Sequence, residues 1–144
     1  MQKGQINMID LSQLVEGLNL PEYKKEKVTK VQLVKYAGAS GDFNPLHTDD
    51  AFAQKIGLNG VIAHGMLIMG FLGEYVNKIA SNEGTVTDFK MRFGAMTVPE
   101  DEIVCKGIVK EKKKIDGGTE VVLKLYAVKD IGEVVGSGEA VIQF

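Results

Sequence analysis

The segment "VIAHGMLIMGFLGEYV", from Val61 to Val76, constrains the fold of this chain more than any other. It alone has the length and apolar width for a long buried helix, predicted from His64 to about Ala80. Interrupted by His64 and Glu74, it is shorter than the about 20 apolar residues a membrane span requires, so no membrane association is expected. Gly65, Gly70 and Gly73 each lower its helix propensity and need a tertiary reason. A face of small residues lets a helix approach a sheet closely, and a glycine at a helix start leaves backbone N–H groups open to a ligand. Both readings fit the segment.

From Thr85 onward the apolar period changes to two. In "TDFKMRFGAM" Phe89, Met91 and Phe93 alternate with Lys90 and Arg92. "EIVCKGIVKE", "TEVVLKLYAVK" and "GEVVGSGEAVIQF" continue as strands, divided by turns at "VPED", "KKKIDGG" and "KDIG". One long helix followed by antiparallel strands is an α+β arrangement in which the sheet wraps its apolar face around the helix. The 144 residues are expected to form one domain, residues 1–144. A domain of that size buries about 68–70% of its unfolded surface and needs no metal or disulfide staple.

Ahead of the long helix, "EYKKEKV" (Glu22 to Val28) predicts a strand, and Thr29 is placed to cap a helix over "KVQLVKYAGASG". Val31, Leu33, Val34, Tyr36 and Ala37 form its expected apolar stripe, and Gly38 with Gly41 lets it fray. Pro45 biases Asn44 away from helical geometry, and Asp42 and Asn44 suit local turns. "GDFNPL" is therefore an ordered loop leading to a short helix near "DDAFAQKIG", with Asp49 or Asp50 at its start.

Seventeen Lys plus Arg against nineteen Asp plus Glu give a formal charge of -2, which leaves no global positive field for a nucleic-acid partner. Cys105 is the only cysteine, excluding an intrachain disulfide and a multi-cysteine metal site. The start "MQKGQINMID" carries no apolar run of signal-peptide length, so a cytoplasmic location is expected.

"YAGASGDFNPLHTDDAFA" (Tyr36 to Ala53), followed by "GVIAHGMLIMGFLGEYV" (Gly60 to Val76), resembles the MaoC-like family of R-specific enoyl-CoA hydratases and 3-hydroxyacyl thioester dehydratases. These proteins have the hot dog fold, an antiparallel sheet wrapped around one long central helix. The family's hydratase motif falls on Gly41, Asp42, Asn44, Pro45 and His47, with the small residue Ala53 after it. Ala63, His64, Gly65 and Met66 match the start of the central helix, and "VTDFKMRF" with "VP" more weakly resembles the mycobacterial-type dehydratase subunits of fatty acid elongation. The resemblance implies that Asp42 and His47 are the catalytic pair and that the Gly65 N–H receives the thioester carbonyl oxygen. It implies a coenzyme A or acyl-carrier-protein thioester as substrate, no cofactor, and a homodimer or higher homo-oligomer, with a heterodimer of paralogues left open. It departs at Gly73, where some relatives carry a serine.

Hydrating a trans-2-enoyl thioester requires a base for water, an acid for the α-carbon and a sink for enolate charge. Histidine has the unperturbed pKa nearest neutrality, and a desolvated aspartate can share the acid and base work with it. A glycine N–H at a helix start suits the enolate oxygen, because the helix dipole favours negative charge there. Asn44 holds the loop or a substrate group, and Pro45 stiffens the turn between the two catalytic side chains.

Met66, Met69 and Phe71 read first as core packing and second as tunnel lining, with Met66 and Met69 the substrate-binding candidates. "KEKKK" (Lys110 to Lys114) reads as a solvated hairpin end before it reads as a phosphate or carrier-protein contact, and Arg92 shares that ambiguity. His64 reads as a helix-start residue whose ring bonds nearby backbone or supports the active loop. His47, Asp49 and Asp50 lack a second histidine at helical spacing, so no metal is expected. Ser40 lacks the spacing of a nucleophile elbow, which argues against a serine hydrolase. The remaining alternatives are an acyl thioesterase, disfavoured by His47 beside Asp42, and a non-catalytic acyl-thioester-binding subunit, disfavoured by the intact motif.

Overall fold

The computed structural model of the chain describes residues 9–144. Leu11 and Leu14 are buried around a short 3-10 turn in which the Asp10 carboxylate accepts from the Ser12 N–H. Strand β1 is only Tyr23–Lys24, where a strand from Glu22 to Val28 was expected. The reason is a missing partner: β1 pairs with the start of strand β3 (Ile103–Ile115), and beyond Ile103 no strand remains alongside. The chain continues beside it through single bonds, from the Lys25 N–H to the Ile103 carbonyl and from the Val28 N–H to the Asp101 carbonyl.

Helix α1 spans Lys30–Ser40, and the Thr29 hydroxyl accepts from the Gln32 N–H as the cap. Leu33 and Ala37 are its buried residues, whereas Val31 and Val34 are exposed, which corrects the expected stripe. At 3.6 residues per turn Leu33 and Ala37 share one line, and Val31 and Val34 share another on a different side. Nor does the helix fray at its end. Gly41 adopts φ 75°, a left-handed conformation that glycine takes without steric cost, and its N–H bonds the Ala37 carbonyl. A 3-10 turn follows at Pro45–His47, then helix α2, Asp50–Lys55, with Asp49 as the capping residue.

The long helix α3 runs Gly65–Ala80 and buries Leu67, Ile68, Phe71, Leu72, Tyr75, Val76, Ile79 and Ala80. Four long strands follow: β2 (Thr85–Phe93), β3, β4 (Gly118–Lys129) and β5 (Val134–Gln143). They form one five-stranded sheet in the order β1-β3-β4-β5-β2, with antiparallel pairing between each pair of neighbours. The β3–β4 pairing continues to Ile115 opposite Gly118, so Lys110 to Lys114 are the mostly exposed last part of β3 running into the hairpin turn, as expected of a solvated hairpin end. Asp116 and Gly117 suffice for the turn. Lys112 extends its ammonium to the Ser12 and Leu14 carbonyls, and Lys113 pairs with Glu120. Inward residues of the sheet, among them Ile103, Cys105, Val109, Leu123, Leu125 and Ile142, close over α3 in a hot dog arrangement.

Just past its middle, at Glu74 and Tyr75, α3 is locked to the amino-terminal segment. The Tyr75 hydroxyl donates to the Pro21 carbonyl at 2.7 Å. Glu74 accepts from the Tyr23 hydroxyl at 2.7 Å and from Lys25 at 2.6 Å. Burial, then the Glu74 bond, pushes the Tyr23 phenol up to about 12. Burial likewise raises the Cys105 thiol to about 12, so this cysteine is a packing residue and not a reactive one.

Candidate active site

The segment from Gly41 to His47 is folded by its own polar side chains. The Asp42 carboxylate accepts from the Asn44 N–H at 3.2 Å, and the Asn44 side chain accepts from the Leu46 N–H at 3.2 Å. These local bonds explain how a stretch poor in helix and strand propensity is nonetheless ordered. His47 Nδ1 lies 2.7 Å from the Ile62 carbonyl oxygen, and the Ile62 N–H bonds the Leu46 carbonyl. Since a carbonyl only accepts, Nδ1 of His47 carries the proton and Nε2 presents a lone pair.

That Nε2 stands 3.9 Å from Oδ2 of Asp42, too far for a direct hydrogen bond and wide enough for one water to bridge. His47 is buried, while the Asp42 side chain is 54% exposed, so the expected desolvation of the aspartate is not present in the single chain. Beside the pair opens a cavity of about 680 Å³. Its wall includes Asp42, His47, His64, Gly65 and Met66, with Phe93 and Thr97 across from them in sequence. Gly65 is the first residue of α3, and the side chain before it, His64, makes no capping bond, so the helix start faces the cavity without a side-chain cap. Asn44 and Met69 are not on this wall: Asn44 caps the 3-10 turn and Met69 sits half-buried on α3.

His64, expected to bond nearby backbone or support the active loop, is 2% exposed and sets its Nε2 3.1 Å from the Asp42 carbonyl oxygen. Several other contacts were not legible from spacing. The His64 ring stacks on His47 with centroids 3.7 Å apart at 21°. Phe93 is 59% exposed, yet its ring comes within 2.9 Å of where a Gly65 Cβ would stand. The buried Thr97 hydroxyl has no hydrogen-bond partner among the described residues. Asp50 accepts from the Val61 N–H at 2.9 Å and pairs with Lys30, tying α1 and α2 to the approach into α3. The Lys30 ammonium and the Val61 N–H hold the Asp50 carboxyl below its usual range. These are contacts between distant stretches of chain, and no local pattern announces them.

Asp42, His47 and His64 bring ligand-type atoms within 4.8 Å of one another. The near-parallel rings direct their nitrogens side by side, not toward a common point, and one nitrogen of each already meets a carbonyl oxygen. The set does not match a tetrahedral metal shell.

A sheet curled around one helix, with a cavity at the helix start, defines a hot dog fold. The chain belongs to the MaoC-like domain family, whose model matches residues 18–130. It is 32% identical over 124 residues to the peroxisomal hydratase-dehydrogenase-epimerase of Neurospora crassa, covering 83% of this chain and 13% of that one. It is 28% identical over 120 residues to an (R)-specific enoyl-CoA hydratase of Rhodospirillum rubrum, covering 80% of this chain and 78% of that one. Among solved structures, the unliganded R-hydratase of Pseudomonas aeruginosa superposes with a TM-score of 0.81 at 26% identity, over 91% of this chain and 82% of that one. Matches to fungal fatty acid synthases span only 3–4% of those proteins. Among the described residues no helix is long and apolar enough to cross a membrane.

Proposed function

We propose that the chain catalyses the reversible hydration of trans-2-enoyl thioesters to (R)-3-hydroxyacyl thioesters. The observation that carries this reading is the 3.9 Å gap between the Asp42 carboxylate and the unprotonated nitrogen of His47. A water in that gap donates one hydrogen to each group. His47 Nε2 takes a proton as the water oxygen bonds to C3, and the electron pair of the C2–C3 double bond moves toward the thioester oxygen. The Gly65 N–H and the start of α3 stabilise the charge arriving there. A proton returned from the pair to C2 completes the addition, and dehydration is the same path reversed. Water and acyl carbon on the same side of the pair favour syn addition. The R configuration is carried over from the family.

The acyl group follows the apolar wall past Met66, and the thioester is carried by coenzyme A or an acyl carrier protein. Strand β2 is an edge, with unpaired backbone groups along one side and the apolar Phe93 at its end. Pairing of two such edges into a homodimer would remove that liability. A cytoplasmic location accords with the composition.

Crotonyl-CoA tests the proposal. Loss of the enoyl chromophore without free thiol, giving the R alcohol, is the expected result. Thiol release would mean a thioesterase, and binding without turnover would mean a non-catalytic subunit. An S product would remove the stereochemical assignment.

A further inference from the structure

We propose that His64 is a positioning residue for both members of the pair, holding Asp42 by its backbone and His47 by its ring. The inference deepens the hydration reading and rests on it. Because the Asp42 carbonyl oxygen only accepts, the Nε2 of His64 at 3.1 Å carries the proton, which leaves Nδ1 as a bare lone pair. That Nδ1 is buried and has no hydrogen-bond partner among the described residues, so a proton placed there would meet no acceptor. The arrangement therefore fits the neutral, Nε2-protonated ring.

Neutrality matters because of what the ring touches. His47 lies face to face with it at 3.7 Å, and a positive charge at that separation would oppose proton uptake by His47. Tyr36 of α1 sets its ring at 67° to His64 with centroids 4.8 Å apart, which restrains the ring without adding charge. Tyr36, Asp42 and His47 thus each contact His64. A residue in the helix-capping position usually turns its side chain onto the first N–H groups of the helix. His64 instead turns back to the loop, so one residue fixes Asp42 and His47 and leaves the neighbouring Gly65 N–H without a side-chain cap.

Two substitutions separate the two contacts. His64→Phe keeps a ring against His47 and loses the bond to Asp42. His64→Gln keeps an N–H donor near the Nε2 position and loses the stack. With crotonyl-CoA as substrate, each is expected to lower kcat about 10–100-fold with little change in KM, the scale of a misplacement near 1 Å. Circular dichroism checks folding. Folded variants that both retain kcat near the wild-type value would overturn the proposal.

A nitrogen-15 histidine spectrum of the unaltered chain reads the same claim without any turnover. The expected signature is a neutral Nε2-protonated His64, with His47 ring protons shifted upfield by the stack and released from that shift in His64→Gln. An Nδ1-protonated His64, or an unshifted His47, would overturn the positioning role. If the wild-type chain hydrates no enoyl thioester, the hydration reading falls by itself and this spectrum alone decides the role of His64.

Discussion

The two ends of α3 are built from the same apolar segment and are finished differently. Toward its C-terminal end, Tyr75, Val76 and Ile79 have almost no exposed surface, and the polar atoms of Tyr75 and Glu74 find partners in the amino-terminal segment. At the N-terminal end the helix start has no side-chain cap, and His64 Nδ1 and the Thr97 hydroxyl lack partners. Met66, Phe93 and Met96 stand exposed there on the wall of a cavity. Orphaned polar atoms and bare apolar side chains lower stability wherever they occur. Their concentration at one end of one helix separates the part of the molecule that holds the fold from the part available for chemistry.

If that division is right, substitutions at the two ends should fail in different assays. The largest effect is expected from Asp42→Asn and His47→Gln, each lowering kcat by about 10²–10⁴-fold while circular dichroism and the urea midpoint stay near wild type. If both groups hold one water, the double variant should be scarcely slower than the worse single variant. Multiplying effects would mean independent roles. Single variants with wild-type rates would remove the pair from catalysis.

Gly65 sharpens the comparison because it has two physical reasons to be glycine. A side chain there would obstruct the helix-start N–H, and its Cβ would also press on the Phe93 ring. Gly65→Ala is expected to slow turnover about 10²–10³-fold if the N–H serves the thioester oxygen. Combining it with Phe93→Ala removes the steric partner. A slow double variant supports the oxyanion role, whereas recovery to the rate of Phe93→Ala alone would assign Gly65 to packing.

At the other end, Ile79→Ala should behave in the opposite way. Ile79 is fully buried, and truncating such a residue costs about 2–5 kcal/mol through lost transfer energy and the cavity left behind. Urea unfolding should shift to a lower midpoint, while kcat measured well below that midpoint stays near wild type. A fall in kcat with unchanged stability would break the proposed division.

The same division explains what the chain made legible. Helix and strand periods outlined α3 and the four long strands, because a buried helix and a half-buried sheet impose their own repeats. The short stretch from Gly41 to His47 carried enough motif to nominate Asp42 and His47, and the helix start nominated Gly65. Missing were contacts that join separate stretches: the His64 ring stacked on His47, Phe93 against Gly65, Asp50 against Val61; the expected support of the loop by His64 is met in its bond to the Asp42 carbonyl. The failures on α1 and β1 have local causes. Val31 and Val34 are apolar yet lie off the Leu33–Ala37 line, and the Glu22 to Val28 segment looks like a strand but outruns its neighbour. Asn44, nominated by the motif, holds the loop, one of its two expected roles, whereas Met69 was placed by type, and a residue type does not say which wall of a cavity it faces.

The smallest expected effect belongs to the ionic lock on α3. Burial works against the charge of Glu74, but hydrogen bonds from Lys25 and Tyr23 and the Lys25 ammonium outweigh it and hold the carboxyl below its ordinary value of 4.5. A depressed folded pKa contributes stability that is fully present above 4.5 and is lost as pH falls through the lower, folded value. The Glu74 side chain is 39% exposed, so solvent screens the pair and Glu74→Gln should cost only about 0.2–1 kcal/mol near neutrality. Other depressed carboxylates, such as Asp50, Glu120 and Glu139, titrate in both proteins and cancel in the difference. Urea midpoints of wild type and Glu74→Gln should therefore differ at pH 7 and converge in acid, with kcat alike at pH 7. A gap that persists at low pH would mean that Glu74 acts by packing and not by charge, and a change in kcat at pH 7 would show that the two ends of α3 are coupled.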